Sequence, residues 1–165
     1  MKEFLQSNIG GGRDSALHHA YVLIGKGAEM RPELFSFFKE SLGVTTTANP
    51  DFYHLIKDSF LIEDSRFIKD IHSSRPFGEG KRLIVIEMNF AQHEAQNALL
   101  KVLEEPHEGT HFFIVIPSLH ILLPTVRSRV MVVDTSMGTG ADESSDVQRV
   151  DSAGSAFLKM NMKER

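Results

Sequence analysis

The residue types most suggestive of chemistry lie early in the chain. The run AYVLIGKGAEMRPELFSFF (Ala20–Phe38) carries a hydrophobic strand into Gly25 and Gly27 and then into a helix. That order can cradle phosphate, because backbone N–H groups of a glycine turn and the positive end of a helix dipole converge on an anion. A working triphosphate loop, G-x-x-x-x-G-K-[ST], needs a glycine for close approach, a lysine for the β- and γ-phosphates and a hydroxyl for magnesium. Counted from Gly25, those three places hold Met30, Arg31 and Pro32. Arg31 keeps a positive charge, but as a wide planar fork rather than a compact ammonium. Pro32 offers neither a hydroxyl nor a backbone N–H, and Glu29 adds an anion where anions would bind. The stretch has the outline of a nucleotide loop without its reactive parts. An ordinary strand-to-helix turn with Pro32 at the first helical position fits the same residues.

Other chemistry is sparse. With no cysteine, disulfides, thiol catalysis and cysteine-ligated zinc are excluded, and a reducing cytoplasm is the expected setting. Of eight histidines, only His107 and His111 have a familiar ligand spacing, and that pair straddles the turn after Pro106. Two histidines with no cysteine or carboxylate motif make a poor metal site, so no metal is expected.

Apolar runs alternate with helical patterns along the chain. Strands are expected at Ala20–Gly25, Asp51–Asp58, Lys81–Met88, Thr110–Pro117 and Val130–Asp134. Helices are expected from Arg31 to Gly43, over Glu63–Ser74 and over Ala91–Pro106, with a short helical piece ending in TVRSR. Nearly all-apolar strands separated by helices imply an α/β fold, a mainly parallel five-stranded sheet covered on both faces in three layers. After Asp134 the chain turns small, polar and acidic (TSMGTGADESSD), which suggests a linker over 135–146 between a domain of residues 1–134 and a helix beginning in 147–165. A net charge of −4 gives no general basic footprint, so any nucleic-acid contact must be local. No apolar run approaches the ~20 residues that span a membrane.

Two long motifs add to this. RLIVIEMNFAQHEAQNALLKVLEEP and THFFIVIPSLHILLPTVRSR, with NALLKVLEEP at Asn97–Pro106 and LLPTVRSRV at Leu122–Val130, strongly resemble the AAA+ gamma/tau and delta-prime type subunits of bacterial DNA polymerase III clamp loaders. LHHAYVLIG and NPDFYHL (Asn49–Leu55) resemble two further segments of that family, and the resemblance covers roughly residues 16–134. It implies a RecA-like P-loop fold, a cytoplasmic role in DNA replication, and partners that are other clamp-loader subunits, gamma/tau-like and delta-like. Contact with the sliding clamp and primer–template DNA is implied only indirectly.

Several departures from the family pattern fall in one site. IVIEMN (84–89) aligns with IIDEAD, so Ile86 replaces the metal-associated aspartate while Glu87 stands where the water-activating glutamate would be. Ile116 and Pro117 occupy the place of a γ-phosphate-sensing hydroxyl, and GVTTTA (Gly43–Ala48) replaces the usual zinc module. Gly25, Arg31, Pro32, Ile86 and Glu87 therefore outline a degenerate nucleotide site, and no cofactor is expected. By contrast, Ser128 and Arg129 match the SRC motif, whose arginine in the family enters the neighbouring subunit's ATP site; Val130 replaces the cysteine. A trans arginine stabilises charge developing on the γ-phosphate. This combination matches the delta-prime type best: a stator without intrinsic ATPase activity. A divergent gamma/tau-type ATPase using Arg31 and Glu87, and a monomeric nucleic-acid-binding module, are the alternatives.

Overall fold

The computed structural model describes Leu5, Ile9 and residues 17–77 and 80–134. Five strands, β1 (Ala20–Ile24), β2 (Phe52–Phe60), β3 (Arg82–Ala91), β4 (Thr110–Ile116) and β5 (Met131–Asp134), form one sheet in the order β2-β3-β4-β1-β5. Every pairing is parallel. Parallel neighbours need crossovers, and α1 (Gly27–Ser41), α2 (Ile62–Ser73), α3 (His93–Glu104) and the short α4 (Pro124–Arg127) lie in those connections.

The period of two along each strand divides the core. Val22, Ile84, Ile86, Ile114 and Ile116 pack on one face with Ile68 and Ile71 of α2, Leu99, Val102 and Leu103 of α3 and Val126 of α4. Tyr21, Leu23, Val85, Phe113 and Val115 pack on the other with Met30, Leu34, Phe37 and Phe38 of α1, and with Leu5 and Ile9. The α/β, three-layer, parallel arrangement expected from the strand pattern is the one adopted.

Several boundaries differ from expectation. α1 begins at Gly27 rather than Arg31, because its buried stripe starts at Met30 and continues through Leu34, Phe37 and Phe38, one helical face. Pro32 therefore sits inside the helix rather than at its first position, a correction to the expected boundary. Its ring points to solvent, and the Ala28 residue whose carbonyl it cannot engage is exposed too. β3 continues past Met88 to Ala91, which moves the start of α3 to His93, and β2 runs to Phe60. The extension is tied by Asn89 Nδ2 donating to Asp58 Oδ1 at 2.9 Å and by Lys57 bridging to Asp64 at 2.8 Å. The end of α1 falls as expected: Gly43, at φ 68, turns the chain, and Val44 N–H reaches back to the Phe38 carbonyl.

The NPDF segment has a structural task. Asn49 Oδ1 accepts from Asp51 N–H, and the Asp51 carboxylate accepts from Phe77 N–H and from Arg82. Arg82 is wholly enclosed, and its Nη1 also donates to the carbonyls of Ile71 and Ser74 at 2.6 and 2.8 Å. One buried arginine thus fastens the entry to β2, the end of α2 and the start of β3.

Candidate functional site

At the C-terminal ends of β1, β3 and β4 lies a cleft of about 300 Å³, lined among others by Gly25, Lys26, Gly27, Arg31, Glu87 and Pro117. This edge of an open parallel sheet is where α/β folds place ligands. The turn above it is short: β1 ends at Ile24, α1 starts at Gly27, and only Gly25 and Lys26 lie between. Gly25 N–H is bound to the Ile116 carbonyl at 2.8 Å, so it does not face the cleft as a free donor. Lys26 pairs with Glu29 at 3.5 Å.

The floor of the cleft is an ion cluster. Glu87, buried on β3, accepts from Arg31 Nε through Oε1 and from Arg31 Nη2 through Oε2, both at 2.8 Å. His54 Nε2, on β2, lies 2.7 Å from Glu87 Oε1. Bidentate pairing of this kind is among the strongest polar contacts a protein makes. Burial pushes the Glu87 carboxyl up, but the hydrogen bonds and charges of Arg31 and His54 outweigh that and hold it below its ordinary value. The bond to Glu87 in turn pushes the Arg31 guanidinium up. Gly27 closes the cluster from above: a Cβ there would overlap Glu87 Oε2 and stand 3.0 Å from its Cδ.

The other residues singled out in this region do not join it. Ile86 alternates to the opposite sheet face and is core, as is Ile116. Met30 is core on the α1 side, and Pro32 is on the exposed side of the helix. Arg31 and Glu87 are brought together; Pro32 and Ile86 are not.

Arg129 lies at the opposite edge of the sheet. Tyr21 pairs with Met131, so Arg129 precedes the start of β5 at the level where β1 begins. The cleft is roughly six strand residues away, about 20 Å. Arg129 Nη2 bridges to Glu104 Oε1 at 2.6 Å, while Nη1 donates to the Thr125 carbonyl at 2.7 Å and to Ser128 Oγ at 3.1 Å. Both charged side chains remain partly exposed. The small helix α4 that leads to Arg129 is seated by Gln96, whose Nε2 donates to the carbonyls of Ala91 and Ile121 and whose Oε1 accepts from Leu123 N–H at 2.7 Å. Gln96 is therefore buried and engaged, not turned to solvent. Arg127 donates from Nε to the Leu122 carbonyl at 2.8 Å and acts on its own loop.

Two participants were not singled out from the sequence. His54 meets Glu87 because β2 and β3 pair with Ile56 opposite Glu87, which puts His54 two residues back on the same face. Glu104 meets Arg129 because α3 ends beside α4. Neither contact has a local signal; the first depends on strand register and the second on where a helix ends. His107 and His111, with ligand-like spacing, part company: His107 stacks on His72 with ring centroids 4.3 Å apart, and His111 bonds the His18 carbonyl.

No curated protein matches the chain. Among solved structures, a DNA polymerase III gamma subunit-related protein from Thermotoga maritima is similar at 24% identity and TM-score 0.61, covering 80% of this chain and 44% of that one. A Bacillus subtilis DNA clamp loader delta protein is similar at 16% identity and TM-score 0.49, covering 71% of this chain and 38% of that one. The chain thus spans less than half the length of these structures, and the first of them shares its parallel α/β fold. The family model described as DNA polymerase III, delta subunit, matches residues 39–137, more than half of the sequence and both long motifs. The chain belongs to that clamp-loader-related family of DNA polymerase III subunits.

Proposed function

We infer that the chain acts as a delta-prime-type clamp-loader subunit: it turns over no ATP itself, serves as a fixed scaffold, and offers Arg129 to the ATP site of a neighbouring subunit. The observation carrying this reading is the ion cluster of Arg31, Glu87 and His54 in the cleft. Phosphate binding there would need free donors and room above the turn. The cationic fork of Arg31 is instead spent on Glu87, and the carboxylate that would activate water is locked by two partners. The two-residue turn, with Gly27 against Glu87, leaves no extended cradle of N–H groups. The residues do not fit magnesium–triphosphate, and no hydrolytic step is assigned to this chain.

Arg129 supports the other half of the reading. It lies about 20 Å from its own cleft, so any nucleotide it serves belongs to another subunit. The partners proposed are gamma/tau-like and delta-like subunits, with the sliding clamp and primer–template DNA reached through the assembly. The domain proposed to do this is residues 1–134; the proposed linker (135–146) and helix (147–165) lie outside the described residues.

Calorimetric titration with ATP, with and without magnesium, combined with a phosphate-release assay, tests the first half. No heat and no phosphate are expected. Tight magnesium-dependent binding with turnover lost in Glu87→Gln would replace this reading with that of a divergent gamma/tau-type ATPase. The second half is tested in the assembled loader, where Arg129→Ala is expected to lower DNA-stimulated ATP turnover by about 10³-fold at the served site.

A further inference from the structure

The surroundings of Arg129 go beyond the identity of the donor residue. A guanidinium carries five N–H donors in one plane. Thr125 O and Ser128 Oγ take the two of Nη1, and Glu104 Oε1 takes one of Nη2. Nε–H and the second Nη2–H have no partner among these contacts. The three acceptors come from two different elements: Thr125 and Ser128 from α4 and its cap, Glu104 from the last residue of α3. A side chain with four rotatable bonds is thus held at its tip rather than left to sample solvent, and two donors remain for an incoming oxyanion.

We propose that Glu104 is a positioning residue for Arg129: with Thr125 O and Ser128 Oγ it fixes the guanidinium plane, so that Nε–H and the remaining Nη2–H are presented to phosphate oxygens of a neighbouring subunit's nucleotide. The proposal rests on the trans role of Arg129 given above. The opposite effect of the same contact is a latch: a carboxylate that neutralises the arginine and must be displaced before it can act. The two differ in sign. Clamping predicts loss of activity when Glu104 is shortened; latching predicts gain. The donor count favours clamping, because phosphate can be bound without breaking the 2.6 Å bridge. Orientation of a charged group at a reacting centre is worth large factors in rate, since a displacement of ~1 Å can cost about 10²-fold.

The test uses the loader reconstituted from this full chain and its own partner subunits, assayed for DNA-stimulated ATP turnover. Glu104→Ala is expected to lower kcat by about 10-fold or more with KM for ATP unchanged. Glu104→Gln, which keeps an acceptor oxygen, is expected to recover most of the rate. Glu104→Ala added to Arg129→Ala is expected to produce no further loss, because Glu104 acts only through Arg129. Unchanged or faster turnover in Glu104→Ala overturns the clamp, as does failure of Gln to rescue, or a loss that persists in the Arg129→Ala background. A normal rate in Arg129→Ala alone removes the trans role and the inference with it, which separates the two failures. The thermal midpoint of each variant chain, expected to stay at the wild-type value, confirms that the fold is intact.

Discussion

Glu87 is where β3, β2 and α1 meet, and its substitution isolates that role. Glu87→Ala strands Arg31 over a cavity and removes His54's partner. Because Arg31 remains about one-third exposed, the expected loss is moderate, about 1–3 kcal/mol by denaturant unfolding. Gly27→Ala is expected to destabilise as well, although alanine is the better helix former, because its Cβ would displace a carboxylate pinned by two partners. In the Glu87→Ala background the same change meets no carboxylate and should be neutral or stabilising. Additive losses in the double variant, measured by the same unfolding experiment, would show that the two residues are not in this contact. Glu87 and Arg129 were legible from motif position alone. His54 and Glu104 were not, because each meets its partner across elements far apart in sequence, and only strand register or the end of a helix makes them neighbours.

The start of α1 is set by burial rather than by local preference. Proline at position 32 suggested a helix start, yet the stripe of Met30, Leu34, Phe37 and Phe38 draws α1 back to Gly27 and leaves Pro32 inside. Pro32→Ala restores an N–H that can reach the exposed Ala28 carbonyl and deletes no packed group. It is expected to raise stability by about 1–3 kcal/mol, seen as a higher denaturant midpoint with unchanged slope. Asp51→Ala should act in the opposite direction. It leaves Arg82, with no exposed surface, facing carbonyls and a Tyr53 ring only, at a cost of about 3–5 kcal/mol. A loss under 1 kcal/mol in the same unfolding measurement would mean that water or a rearranged carboxylate takes the place of Asp51. The central strands were easier to read than the helix ends: β3 and β4, buried on both faces over most of their length, appear as unbroken apolar runs such as LIVI and FFIVI, whatever their neighbours.

Across the whole molecule, the titrating groups that the fold perturbs most clearly act in one direction on the acid side. Burial, followed by neighbouring charges, holds His19, His72 and His111 below their ordinary value of 6.5, and Glu87 is held below 4.5. Groups with depressed folded-state values bind protons more readily when unfolded, so acid favours unfolding. Stability from these groups is complete above roughly pH 7 and falls first as the histidines protonate in the unfolded chain, then again below about pH 4.5. The thermal midpoint is expected to follow that two-step decline, and His72→Gln with His111→Gln should shrink the first step to the share of His19 and leave the second unchanged. A midpoint independent of pH between 7 and 5 in the wild-type chain would show that these rings protonate freely in the fold. The placement of Arg129 and the cleft on opposite ends of the strands has a consequence for assembly. Subunits joined by such unlike edges stack in one direction, like arrows laid head to tail, and a heterologous row has two different ends unless it closes. On the proposed reading, a member that can give an arginine but has already filled its own receiving end with Arg31 is suited to one terminus only, so its presence would fix which way the row runs and where it stops.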